Sequence, residues 1–384
     1  MPSAKIRTAV LENQEGSENI MIKSISVENF RCFKKLEASD LRRVNVLVGK
    51  NAAGKTAFIE AIKLGLEATP GVLFWLNTMV RASQTFLLPN ASNDQFQAVF
   101  IDFFHDFNPE ATISIRTTDF AGRVATLQVH FDPSATVTTQ PAIGFKAAEF
   151  AGGVAAPLTI VPIAFERKDF QGLAAKLFAT VDQSGQLQMQ PGRPMGLVSA
   201  LFPNTHFGNA NENAAWLSKL SVEKRSDEVI EALQRHFPFI RGITSEAALG
   251  IPGSATVFAD VRTLPRKIPL SLVSSGISKL FTLMLAIVTF KGGVVLIDEV
   301  ENGIYHDQYP LVWKTLFDLA THHKTQLFIS THSLECLREM VPVMDANENE
   351  FRLLRLTKDN GESSAEQVKG KFLESALEQN FEVR

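Results

Sequence analysis

Short apolar runs recur along the chain, each closed by turn residues or followed by a stretch with apolar positions three and four apart. Met21–Val27 alternates loosely, and Phe30–Leu36 and Val44–Val48 extend the pattern, predicting a β-rich N-terminal segment. Thr56–Leu66 is apolar at Phe58, Ile59, Ile62, Leu64 and Leu66 and predicts a helix with one buried side. From about Thr69 to Gly242 the pattern loosens. Strands are predicted at Ala98–Phe104, Ala111–Arg116, Arg123–Phe131 and Leu158–Phe165, and helices around Gln171–Val181 and Ala214–Phe237. Ala135–Gly153 and Gly185–Asn211, rich in Gly, Pro, Ser, Gln and Asn, are predicted surface loops. After Ile243 the pattern tightens. Strands are predicted at Thr256–Val261, Lys267–Leu270, Gly293–Asp298, Gln326–Ser330 and Phe351–Leu356. Helices are predicted at Ser275–Thr289, His306–Ala320, from Leu334 and from Phe372. Strands alternating with helices imply an α/β sheet.

Composition narrows the class. With 45% hydrophobic and 21% charged residues, the 384-residue chain can bury a sizeable core. Its net charge of −3 gives no bulk electrostatic case for nucleic acid. Cys32 and Cys336 lack metal-ligand spacing, which suits a reduced, cytoplasmic setting. The most apolar helical run, Leu280–Phe290, is too short to span a bilayer. Residues 1–20 are polar and are expected to form a flexible leader. Ten prolines between Pro89 and Pro238 exclude a long coiled coil from the middle region.

Four motifs carry chemistry. Gly49-Lys50-Asn51-Ala52-Ala53-Gly54-Lys55-Thr56 follows a predicted buried strand and opens a predicted helix. Small residues on such a turn let backbone N–H groups converge on a phosphate, and the helix dipole adds positive potential. Lys55 can reach the β- and γ-oxygens of a nucleotide, and Thr56 can ligate Mg²⁺. In Gly293–Gly303 an apolar strand runs into Asp298 and Glu299. Two carboxylates there are costly unless they meet a cation or solvent. Asp298 fits a Mg²⁺ ligand and Glu299 the base that activates water. Leu327–Ser333 is another buried strand ending in polar groups, with His332 placed to contact a γ-phosphate. Ser274, Ser275 and Gly276 open a strongly apolar helix, either as ordinary N-caps or as a phosphate-binding helix start.

The order of these motifs resembles an ABC-type ATPase head. Met21–Glu37 followed by Asn45–Thr56 looks like the SMC/RecF branch, and Ile297–Gln308 resembles the OLD-like ATPases of bacterial defence systems more closely. The resemblance covers about Met21–Leu66 and Ile243–Leu337. It implies a P-loop NTPase fold with a mixed β-sheet, an ATPase core over 21–68 and 243–384, and an inserted α+β lobe over 69–242 that binds a partner or trigger. It implies ATP and Mg²⁺ as ligands, Glu299, His332 and Lys55 as catalytic residues, and Val300–Ile304 in the D-loop position. Val273–Ile277 sits where such families carry Leu-Ser-Gly-Gly-Gln, with Ser275 replacing a glycine and Ile277 the glutamine. Gln97 and Gln171 are both candidates for the glutamine loop. The implied function is a head-to-head homodimer or higher oligomer that hydrolyses ATP and acts as sensor or scaffold for a separate nuclease or toxin in anti-phage defence. No membrane contact is implied, and no nuclease domain of its own is expected. A RecF-like DNA-binding repair ATPase and a nucleotide-gated scaffold with negligible turnover are the alternatives.

Overall fold

Val44-Asn45-Val46-Leu47-Val48 is apolar on both faces except at Asn45, and both faces are covered, because this strand lies between two cores. The computed structural model describes residues 20–80, 92–139, 158–182, 186–192, 199–202, 210–247, 254–359 and 362–368. The run forms β3 (Val44–Val48) in a six-stranded sheet. Its neighbours are β11 (Ser199–Phe202), β15 (Val294–Ile297), β16 (Gln326–Ser330), β17 (Phe351–Asp359) and β18 (Glu362–Val368). The order is β11-β15-β16-β3-β17-β18, parallel throughout except for the antiparallel β17–β18 pair. The sheet is mixed, as in the expected P-loop fold. Alternation divides its side chains: Val46, Val295 and Ile329 join one core, and Leu47, Leu296 and Phe328 the other.

The second core lies between this sheet and a seven-stranded antiparallel one. The latter begins with β1 (Ile22–Phe30) and β2 (Phe33–Ala38) and continues through β4 (Ile113–Asp119), β5 (Val124–Phe131), β8 (Ile163–Lys168), β9 (Ala174–Val181) and β10 (Leu187–Met189). Its order is β10-β9-β8-β5-β4-β1-β2. A small pair, β6 (Val137–Thr139) with β7 (Leu158–Ile160), stands apart. Helix α1 (Lys55–Glu67) lies between the two sheets and is buried almost all round. Gln326 clamps the sheets together. It accepts from the Ile22 N–H at 2.8 Å and donates to the Ile22 and Arg42 carbonyls, each at 2.8 Å.

Among the described residues, segment 69–242 therefore keeps only the β6–β7 pair as a sheet of its own. Five of its strands extend the sheet begun by β1 and β2, and β11 pairs with β15. A two-stranded hairpin cannot bury enough surface to stand alone, so β1 recruits β4 on its free edge.

The first core is roofed by helices: α4 (Ala210–Val222), α5 (Ser226–His236), α7 (Ser275–Thr289), α8 (Tyr309–His323) and α9 (Leu334–Asp345). A short α6 (Leu270–Val273) precedes α7, and β12 (Ile240–Ala247), β13 (Ala255–Val261) and β14 (Ile268–Pro269) form a three-stranded sheet beside them. Two short helices, α2 (Pro70–Trp75) and α3 (Asn93–Ala98), follow α1.

Several expected elements differ. Ala98–Phe104, predicted as a strand, is the end of α3 and a 3₁₀ turn. Ser92 caps α3 in a capping box with Gln95, and Phe96, Phe100, Phe103 and Phe104 are buried at helical spacing. Gln171–Val181, predicted as a helix, turns at Gly172 (φ 87°) and becomes β9, because pairing with β8 outweighs the helix propensity of Ala174–Ala179. Ala214–Phe237 is broken at Lys224 (φ 58°) into α4 and α5. The predicted loop Gly185–Asn211 contains β10 and β11. The expected leader, apart from residue 20, and the helix from Phe372 lie outside the described residues.

Candidate active site

Parallel strands β15, β16 and β3 lie side by side, so their carboxyl ends open on one edge. The phosphate loop leaves β3, Asp298 and Glu299 leave β15, and Thr331 and His332 leave β16. Sequence-distant groups thereby meet. Thr56 Oγ1 donates to Asp298 Oδ2 at 2.7 Å, and Ser330 Oγ donates to Asp298 Oδ1. Burial raises the Asp298 pKa, and these two hydroxyl donors oppose the shift.

The loop's backbone shows why small residues are needed. Gly49, Ala52 and Gly54 have φ of 147°, 63° and 102°. A Cβ on Gly54 would sit 2.7 Å from the Phe33 ring and 2.9 Å from Cys32 Sγ. Lys50, Asn51 and Ala52 are exposed, whereas Ala53 is buried under α1. The Ala53 N–H donates to the Lys50 carbonyl at 3.1 Å, closing the turn. Lys55 Nζ reaches back to the carbonyls of Gly49 (2.6 Å) and Lys50 (3.2 Å). Burial lowers its pKa, against the raising influence of Asp298, Glu299 and Glu301.

Glu299 has a left-handed backbone (φ 52°), held by a 2.8 Å bond from its N–H to Ser330 Oγ. Its Oε2 accepts from Asn302 Nδ2 at 2.6 Å, and its Oε1 lies 3.8 Å from His332 Nδ1. Lys55, Thr56, Asp298, Glu299 and His332 thus converge on one edge. Ser274, Ser275 and Gly276 open α7 instead. Ser274 caps α7, accepting from the Ile277 N–H, and Ser275 is exposed. A Cβ on Gly276 would meet the Gly303 carbonyl at 3.2 Å and the Gln308 side chain at 3.5 Å. The helix start therefore packs on the segment after Glu299. Gln97 lies on α3, and Gln171 in the exposed β8–β9 turn.

Two residues escaped sequence reasoning. Lys279 is the one charged residue of α7, and that isolation was a legible signal. Its Nζ is buried and donates to the carbonyls of Glu299 (3.3 Å), Val300 (2.8 Å) and Asn302, and burial lowers its pKa to about 7. Glu301, two residues beyond Glu299, is 7% exposed and accepts from the N–H groups of His332 (2.8 Å) and Ser333 (3.2 Å). Nothing in its local sequence separates it from a solvated turn residue.

Residues 21–177 match a family described as "AAA ATPase domain". Residues 185–338 match one described as "AAA domain, putative AbiEii toxin, Type IV TA system". An ATP/GTP phosphatase of Helicobacter pylori is 21% identical over 362 residues, covering 85% of this chain and 88% of that protein. The SMC head domain from Thermotoga maritima superposes with a TM-score of 0.40 at 13% identity, covering 91% of this chain and 99% of that one. An SMC head bound to the C-terminal winged-helix domain of ScpA gives 0.46 at 13%, covering 93% and 99%. Among the described residues no helix is long and apolar enough to cross a membrane. With the phosphate loop at the end of β3, the acidic pair at the end of β15 and ATPase-domain models matching 21–177 and 185–338, the chain has the fold of a P-loop ATPase and is similar to the ABC-type group.

Proposed function

We propose that the chain binds Mg-ATP at Gly49–Thr56 and hydrolyses it to ADP and phosphate, with Glu299 as general base, in a head-to-head homodimer that acts on a separate effector. The observation that carries the catalytic part is the 2.7 Å bond between Thr56 and Asp298, 242 residues apart. It joins a hydroxyl and a carboxylate at the mouth of the phosphate loop. These are hard oxygen donors in the small number that Mg²⁺ accepts from protein, so they fit the ion. Magnesium, when bound there, would neutralise charge on the phosphate oxygens.

The chain's own groups supply the rest. Loop N–H groups and the start of α1 hold phosphate, and the Lys55 ammonium adds a positive charge beside it. Glu299, oriented by Asn302, takes the proton of the attacking water. His332, on the exposed lip, contacts the γ-phosphate. Lys55→Ala is expected to weaken nucleotide binding. Glu299→Gln is expected to keep binding and lower turnover by about 100-fold or more, since an amide cannot take the proton. Fluorescent-nucleotide titration and phosphate release check the two, and equal turnover in wild type and Glu299→Gln would remove Glu299 as the base.

The dimer is supported by the exposed Ser275 at the start of α7 and by two exposed apolar side chains beside it. Leu272 precedes the Ser274 cap and is 73% exposed; Tyr305 follows Gly303 and is 64% exposed. An isologous contact through this region would bring each α7 start to the other subunit's nucleotide. The defence role is supported by the OLD-like run Ile297–Gln308 and by the toxin–antitoxin wording of the family matched over 185–338. A DNA-gripping repair role has weaker support. The groove across β1, β4, β5, β8 and β9 carries Arg116, Arg167, Lys168 and Lys176, but also Glu28 and Glu166. Lys176 is paired there with Asp132 (2.8 Å) and Glu166 (2.9 Å).

A further inference from the structure

Glu301 is a buried carboxylate that the hydrolytic scheme does not use. Oε1 accepts two backbone N–H groups at the start of α9, where the helix dipole favours an anion, and the Lys279 ammonium is bonded to the carbonyls on either side of it. The same Oε1 lies 2.9 Å from His332 Nδ1. Oε2 is buried and has no hydrogen-bond partner among the described residues. Carboxylate oxygens only accept, so the charge of one 2.9 Å away favours an N–H over a bare lone pair at Nδ1.

We propose that Glu301 is the positioning residue for His332: it fixes the imidazole with its proton on Nδ1 and leaves Nε2 as the nitrogen offered to the nucleotide. The inference rests on the reading of His332 as the γ-phosphate contact, and it adds the group that orients that contact. It also links three elements. Lys279 ties the carbonyls of Glu299, Val300 and Asn302 to α7, and Glu301, from within that tied segment, holds the end of β16. The base and the histidine are therefore set by one short stretch, Glu299–Asn302.

Glu301→Gln is the informative variant, because its amide oxygen still accepts both backbone N–H groups while the negative charge is lost. ¹⁵N-histidine NMR, with His332 assigned by its loss in His332→Gln, reads the ring directly. The wild type is expected to show a protonated Nδ1 at His332, and Glu301→Gln is expected to shift that signal. Turnover in Glu301→Gln is expected to fall about tenfold with KM for ATP changed less than about twofold. In a His332→Ala background the same change is expected to have no further effect, since the two side chains act as one unit. An unshifted His332 signal in Glu301→Gln, or losses that multiply in the double variant, would overturn the proposal. A shifted signal combined with wild-type turnover in His332→Ala would uphold the positioning by Glu301 and remove His332 from the catalytic scheme.

Discussion

Gly49 opens the phosphate loop with φ 147°, and a Cβ there would meet the Leu356 carbonyl oxygen at 2.3 Å. Contact of that kind with backbone cannot relax by a rotamer change. Gly122 provides the comparison, with φ 80° and nothing within 4 Å of its Cβ position. Gly122→Ala is expected to cost about 1 kcal/mol, the left-handed penalty alone. Gly49→Ala is expected to cost more than about 2 kcal/mol, from overpacking added to strain. Urea denaturation midpoints of the two variants check this, and equal losses would contradict the close approach to β17. The glycine spacing was legible in the sequence because it reports backbone geometry within one turn. Glu301 was not, since its role depends on a strand end 31 residues away.

At the scale of elements, α8 ends in a buried histidine. His323 is 3% exposed and lies 3.3 Å from Glu228 on α5. Burial lowers its pKa from 6.5 to about 4, with Glu228 opposing. The unfolded chain therefore takes up a proton between pH 6.5 and about 4 that the folded chain refuses. The stability from this group is complete above pH 6.5 and is lost as pH falls through that window. Between pH 7.5 and 5 the loss is expected to be about 2 kcal/mol. His323→Gln is expected to flatten that part of the stability profile, measured by urea titration at several pH values. The same drop in wild type and variant would place the pH dependence elsewhere. The apolar periodicity of α8 predicted the helix well, but α5 beside its end could not be read from it.

At the scale of the whole molecule, the two large sheets are joined through α1 and Gln326, and strands of segment 69–242 belong to both of them. The proposed dimer makes a specific demand on that fold. Mixing Lys55→Ala protein with Ser274→Arg protein is expected to restore part of the activity that each lacks. One composite site of the mixed dimer then carries both lesions and the other neither. Phosphate release from the mixture, with mixed dimers verified by differential tags, checks it, and no recovery would count against shared sites.

Composition and local spacing by themselves determined the phosphate loop, the buried strands β3, β15 and β16, the acidic pair at Asp298 and Glu299, and the long helix α7. Each is written within a few residues, where steric limits on the backbone and burial of a single face leave little choice. Tertiary structure decided which segments share a sheet, turning the helix-like run at Ala174–Ala179 into β9 and the loop-like stretch at 199–202 into β11. It also decided which polar groups meet: Thr56 with Asp298, Gln326 with Ile22, and Glu301 with His332. Those contacts depend on strand order and register, which burial of whole faces sets across the molecule and no local stretch encodes.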